Sequence, residues 1–224
     1  MIRAILFDLD RTLLDRDRSF RDFAETQYDL FTALAAIPRE IFLTRLIALD
    51  DRGRVWKDEV YRLLVAEFHL ETVSGEELFI DFLARMPDYY VPFAGLDEML
   101  DRLKTEGFRL GLITNGRTDW QRRTIHSLGI EKVFDVILIS EAEGVRKPEA
   151  GIFHRAVRRL DCEPGECVYV GDHPDTDIRG AHEAGLRAIW KRNNDFSGAP
   201  DADAVIDELE ELHQAIADLK KRAG

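Results

Sequence analysis

Five or six short apolar runs punctuate the chain: "AILFDL" (4–9), "FRLGLIT" (108–114), "VILIS" (136–140), "CVYVGD" (167–172), "RAIW" (187–190) and "AVI" (204–206). Most are near-continuous in Val, Ile and Leu, the pattern of strands covered on both faces in a parallel sheet. Between them the apolar positions take helical spacing over 95–106, 117–128, 149–160, 175–185 and 207–221. Strands alternating with helices of about 10–15 residues predict an α/β fold, a Rossmann-like doubly wound parallel sheet. Gly107, Gly129 and Gly185 follow three of these helices, where a left-handed residue is favoured. Pro148 is expected at the first helical position of its helix and Asp175 at an N-cap.

Residues 16 to 88 break the alternation. "DRSFRDFAETQYDLFTALAA", "PREIFLTRLIALD", "RVWKDEVYRLLVAEF" and "GEELFIDFLARM" all carry helical spacing, punctuated by Pro38, Gly53 and Ser74-Gly75. Four helices inserted after the first strand are therefore expected, with "YYVPFAG" as the return linker. The predicted organisation is an α/β core from 1–15 and 90–224, interrupted by an all-helical cap domain over 16–89.

Length and composition narrow the partners. The chain has 224 residues, enough for one or two domains. Its formal charge of −12 disfavours nucleic acid or an anionic membrane as the main partner, since both require basic patches. No apolar run approaches the roughly 20 residues of a membrane span. The first strand begins almost at Met1, so no targeting segment is expected. Cys162 and Cys167 match neither zinc spacing nor a disulfide framework. Reduced thiols and a cytoplasmic location follow as expectations.

The candidate chemistry sits at the ends of the strands. In "ILFDLDRT", Asp8 and Asp10 close the first run, where open α/β sheets place their ligands. Two like charges this close call for a cation such as Mg²⁺, unless they serve only the turn. In "LITNGR", Thr114 and Asn115 end a strand and precede a helix, suiting either an anion site or an ordinary turn. In "GVRKPEAGIF", Lys147 precedes a helix start, so the helix dipole does not explain it; a phosphate or developing charge would. Arg146 is expected in solvent. In "VYVGDHPDTDIRGA", Asp172 occupies the place Asp8 has on its own strand and would complete a metal site, while Asp177 would reach Lys147 or the metal's water shell. A weaker candidate lies in the insert. The loop carrying Asp51, Arg52 and Arg54, with Lys57 a turn later, would hold the non-reacting part of an anionic substrate or simply join two helices. The histidines, His173 included, show no metal spacing and read as structural.

In sequence order these motifs resemble the signatures of the haloacid dehalogenase superfamily. "DLDRT" is similar to its Asp-x-Asp-x-Thr motif, "LITNG" to its strand ending in Thr or Ser, Lys147 to its conserved lysine and "VGDHPDTD" to its final acidic motif. The helical insert resembles the cap of the subgroup that includes phosphoglycolate phosphatase, nucleotidases and β-phosphoglucomutase. The resemblance implies a Mg²⁺-dependent phosphatase acting on a small phosphorylated metabolite: a sugar phosphate, a nucleotide or a phosphoglycolate-like compound. Asp8 would be the nucleophile and Asp10 the general acid and base. Asp8, the Asp10 carbonyl and Asp172 would hold the metal, and Thr114, the Asn115 amide and Lys147 the phosphoryl group. Thr12 and Asp177 would support them, and the cap would exclude water. A phosphomutase, a 2-haloacid dehalogenase and a phosphate-binding regulator without turnover are the alternatives. A monomer and a homodimer are equally compatible. One position departs: Arg11 stands where the family usually has glycine or a small or acidic residue, and its side chain is expected to point outward.

Overall fold

A computed structural model of the chain describes residues 1–193, 195–196 and 201–222. The expected ends of the core at 223 and 224 lie outside the described residues. The chain divides into two compact units, Met1–Asp15 with Pro92–Gly224, and Arg16–Val91.

The first unit is built on six strands: β1 (Ala4–Phe7), β2 (Arg109–Thr114), β3 (Val136–Ile139), β4 (Cys167–Gly171), β5 (Arg187–Lys191) and β6 (Ala204–Ile206). They form one sheet in the order β3-β2-β1-β4-β5-β6, with every neighbouring pair parallel. Successive strand side chains face opposite sides, and the sequence uses both. Ile5 and Phe7 of β1 and Val168 and Val170 of β4 enter one apolar core, whereas Ala4, Leu6, Cys167 and Tyr169 enter the other. This explains the near-continuous apolar runs, because neither face of the sheet meets water.

Helices cover both faces. Leu100 and Leu103 of a helix at Leu96–Thr105 pack into the first core, with Leu212, Ile216 and Leu219 of another at Leu212–Arg222. Ile152, Phe153, Ala156 and Val157 of the helix at Ala150–Arg159 pack into the second. Gly107, Gly129 and Gly185 all adopt positive φ after their helices, as expected.

The second unit is helical throughout. Its helices α1 (Arg16–Leu30), α2 (Arg39–Asp50), α3 (Lys57–Glu67) and α4 (Gly75–Arg85) correspond to the four expected, with 3₁₀ turns joining α1 to α2 and α2 to α3. Ser74 opens α4 with a capping box: its hydroxyl accepts from the Glu77 amide while Glu77 accepts from the Ser74 amide. The interior is aromatic, with the Phe23 and Phe82 rings edge to face at 5.5 Å and Phe20 against Phe82 at 6.3 Å. No helix among the described residues is long and apolar enough to cross a membrane.

Three local expectations give way. Pro148 is not helical: the Lys147–Pro148 bond is cis, the Glu149 amide donates back to the Arg146 carbonyl, and the helix begins at Ala150. His173, not Asp175, caps its helix, its Nδ1 accepting from the amides of Asp175 and Thr176. Asp175 instead pairs with Arg179 at 3.1 Å. The single helix expected over 175–185 is a π-helical turn, Pro174–Arg179, followed by a short α-helix, Gly180–Glu183.

Candidate active site

The carboxyl ends of β1, β2 and β4 converge on one buried ammonium group. Lys147, 3% exposed, lies in the loop between β3 and the helix at Ala150–Arg159. Its Nζ donates to Asp8 Oδ1, to the Tyr169 hydroxyl at 2.8 Å and to Asp177 Oδ1 at 2.7 Å. All three protons of the ammonium are thereby used. The Tyr169 hydroxyl donates in turn to the Ile113 carbonyl at 3.2 Å. Lys147 is fixed from its backbone as well. Its amide donates to Asn115 Oδ1 at 2.9 Å, and Asn115 Nδ2 donates to its carbonyl at 3.0 Å. The Asn115 side chain is thus spent on holding Lys147.

The acidic side is equally built in. Asp8 follows the last residue of β1, and its amide continues the ladder to the Val170 carbonyl. Asp172 follows β4; its Oδ2 accepts from Asn193 Nδ2 at 2.7 Å and its carbonyl from Trp190 Nε1 at 2.7 Å. Asp177 Oδ2 accepts from the His173 amide at 3.0 Å. Gly171 makes this possible, because a Cβ there would come within 2.5 Å of the Asp177 side chain. Asp8, Asp172 and Asp177 each offer a carboxylate oxygen, all within 4.8 Å of one another.

The charges are mutually dependent. Burial pushes the Asp8 carboxyl up to about 7, helped by Asp177 and Asp10 and opposed by Lys147. Asp172 is held well above the ordinary carboxylate range, chiefly by burial and then by Asp177 and Asp8, while Arg11 and Lys147 pull it down. Burial works against the charge of Lys147, but Asp177 and Asp8 outweigh it and hold the ammonium above the usual lysine value. Three buried carboxylates against one lysine leave a net negative pocket of hard oxygen ligands, which suits a small divalent cation. With Asp177 already bonded to Lys147 and His173, Asp8 and Asp172 are the residues that fit as direct ligands.

The remaining expected residues divide. Asp10 is half-buried, and its Oδ2 accepts from Gln121 Nε2 at 3.0 Å. Thr114 is buried at the end of β2, and its hydroxyl accepts from the same nitrogen. Asp177 joins Asp8 and Asp172 in the cluster of carboxylates, whereas the part expected of Asp10 in metal binding concerns its backbone carbonyl and not its carboxylate. Thr12 is buried, but its hydroxyl finds no hydrogen-bond partner among the described residues, so its side chain does not tie down the turn. The turn is held by backbone: the Leu13 and Leu14 amides donate to the Leu9 carbonyl, and the Arg11 amide to that of Leu14. Arg11 itself has φ 63°, the left-handed region that favours glycine. It is half-buried and its charge acts on Asp172, so it is not directed wholly outward. Arg146 is exposed, as expected.

In the helical unit, Lys57 is not a solvent-facing cation. It is buried between the rings of Phe20 and Phe82, with its Nζ on Asp50 Oδ1. Arg16 Nη1 adds a 2.9 Å bond to Asp50 Oδ2. Burial raises the Asp50 carboxyl, but Arg16 and Lys57 together hold it below its ordinary value. Lys57 thus neutralises a carboxylate of the unit's interior. Arg54 is exposed, 3.8 Å from Asp51. Asp50→Ala is expected to cost about 3–5 kcal/mol, because Lys57 would be left buried without its counter-charge. Urea unfolding measures this; a loss below about 1 kcal/mol would contradict the pairing.

Sequence reading missed Tyr169 and Gln121. Tyr169 is a polar residue inside the apolar run "CVYVG", and Gln121 shares the buried side of its helix with Thr124 and Ile125; burial is the only signal they give.

A doubly wound sheet whose carboxyl edge gathers three carboxylates around one lysine, in a core interrupted by a helical insertion, defines a hydrolase of phosphoric monoesters. The chain belongs to the haloacid dehalogenase-like hydrolases, matching that family over residues 5–191. It is 35% identical to the glyceraldehyde 3-phosphate phosphatase of Pyrococcus furiosus, across 96% of this chain and 93% of that protein. Among solved structures, an HAD phosphatase from Thermococcus onnurineus superposes with a TM-score of 0.69 at 29% identity, covering 96% of this chain and 98% of that one. A 2-haloacid dehalogenase from Pseudomonas syringae pv. Tomato DC3000 gives 0.62 at 29% identity, covering 98% of this chain and 100% of that one.

Proposed function

We propose that the chain is a Mg²⁺-dependent phosphatase that hydrolyses a small phosphorylated metabolite through a phosphorylated Asp8. The observation that carries this reading is Lys147, whose ammonium joins Asp8 to Asp177 beside Asp172 at the strand ends. Lys147 fixes Asp8 Oδ1, which leaves Oδ2 to attack phosphorus. The phosphoryl group passes from the substrate oxygen to Asp8, and Asp10 gives its proton to the departing oxygen. Asp10 then takes a proton from the water that cleaves the acyl phosphate, returning both carboxyls to their starting states. The Thr114 hydroxyl and the Lys147 ammonium face the charge spread over the phosphoryl oxygens. A Mg²⁺ ion held by Asp8 and Asp172 would supply further neutralisation of those oxygens.

A small sugar phosphate is the substrate class favoured, because the Pyrococcus relative bears the name of one. Free thiols at Cys162 and Cys167 suit a reducing, cytoplasmic setting. Asp10 argues against carbon–halogen cleavage, which releases halide and has no alkoxide to protonate. The test is release of inorganic phosphate from p-nitrophenyl phosphate, then from a panel of phosphorylated metabolites, with EDTA and with Mg²⁺ restored. EDTA is expected to lower turnover at least about 100-fold, with recovery on adding Mg²⁺. Full activity in EDTA on 2-chloropropionate would establish the dehalogenase instead. Sugar-phosphate isomerisation outrunning phosphate release would establish the mutase, and stable phosphorylation without release the regulator.

A further inference from the structure

Gln121 lies on the helix Thr118–Ser127, just inside its first turn, and is 3% exposed. A buried primary amide must place two donors and an acceptor, so its surroundings reveal its orientation. Within reach of Nε2 are Asp10 Oδ2 at 3.0 Å, the Thr114 hydroxyl oxygen, and the Asn115 carbonyl at 3.4 Å. A carboxylate and a carbonyl only accept, so the nitrogen end of the amide faces them. The two amide protons go to the nearer pair, Asp10 and Thr114. Space is reserved for this side chain: Gly116 has φ 155°, and a Cβ there would come within 2.9 Å of Gln121 Cγ and 3.1 Å of its Cδ.

We propose that Gln121 is a positioning residue for the reaction, one that dictates which oxygen of Asp10 carries the transferable proton. The N–H donated to Oδ2 engages that oxygen as the acceptor, the role the carbonyl-type oxygen of a carboxylic acid fills better than its hydroxyl oxygen, and leaves Oδ1 to carry and pass the proton. The proton that Asp10 delivers to the leaving oxygen therefore resides on Oδ1. The same amide satisfies the Thr114 oxygen as an acceptor, which turns the Thr114 proton toward other partners. This inference rests on the proposed reaction, in which the phosphoryl group moves to Asp8, the bond from phosphorus to the leaving oxygen breaks, and the Oδ1 proton moves to that oxygen.

Leaving-group dependence separates this role from a merely structural one. A p-nitrophenolate departs without help, whereas phenolate is more basic and depends on protonation. Gln121→Met keeps the length of the side chain and removes both donors. Its kcat/KM, which reports the first phosphoryl transfer, is expected to fall about 10–100-fold for phenyl phosphate and less than about threefold for p-nitrophenyl phosphate. Should Gln121→Met fail to fold by circular dichroism, Gln121→Asn withdraws the amide from Asp10 with a smaller change in polarity, and the same divergence is expected. A parallel loss on both substrates, or no loss, overturns the inference while leaving the phosphatase reading intact. A wild-type protein without Mg²⁺-dependent release from either ester overturns both.

Discussion

Asp8→Asn is expected to lose at least about 10³-fold in phosphate release from p-nitrophenyl phosphate, yet to melt no lower than the wild type in EDTA. The two halves of this result come from one carboxylate. As the proposed nucleophile, Asp8 would be the one group whose removal stops the first transfer rather than slowing it. As a buried charge it is a burden on the fold. Burial, with Asp177 and Asp10 nearby, raises its carboxyl to about 7 against the pull of Lys147. An unfolded chain ionises this group near pH 4. Between there and about 7 the unfolded state binds fewer protons, so metal-free stability falls with rising pH over that window. Asparagine removes this term, so the variant should gain on the wild type as pH rises from about 5 to 7.5. Thermal melts in EDTA across that range, beside an activity assay in Mg²⁺, measure both halves. Retained turnover would exclude Asp8 as nucleophile, and a variant that melts far lower would mean the carboxylate is structural.

The fold was legible because each level of the sequence pointed the same way. Runs such as "AILF" and "CVYV" are apolar at consecutive positions, and only a strand covered on both faces uses both. The convergence of Asp8, Lys147, Asp172 and Asp177 was legible too, because Asp8 and Asp172 directly follow strands, Lys147 and Asp177 lie in the segments that lead on from strands, and parallel topology puts those strand ends on one edge. What could not be read is which partner each polar group finds. Lys57 and Asp50 are seven residues apart across a turn, and nothing in "LDDRGRVWK" says that the lysine folds inward under Phe20. His173 outcompetes Asp175 as a cap because its ring nitrogen reaches two amides, a matter of loop direction rather than residue type. Arg11 holds a backbone conformation that favours glycine while acting on Asp172, a pairing that no local pattern encodes. Gln121 stays hidden because a buried polar residue on a helix whose inner side also carries Thr124 gives no hint of the carboxylate it meets.

Lys147→Met is expected to cost about 3–5 kcal/mol of stability without metal, and to be the substitution most fully compensated by Mg²⁺. Methionine fills the volume but leaves Asp8, Asp172 and Asp177 within 4.8 Å of one another with no cation among them. It also removes the donor that the Tyr169 hydroxyl accepts from inside the second core. The lysine's pKa is held above its ordinary value, so its contribution is complete below the unfolded-state value near 10 and is lost only as pH rises through the higher folded value. At neutral pH the whole effect is therefore exposed. A divalent ion bound among the same oxygens would restore positive charge there and, binding the folded state in preference, would stabilise it by mass action. The rise in melting temperature on adding millimolar Mg²⁺ should thus be larger for Lys147→Met than for the wild type, while phosphate release stays at least about 100-fold down. Equal Mg²⁺ shifts in the two proteins would mean that the ion does not enter this cluster, and the acids around Lys147 would then owe their closeness to the lysine alone.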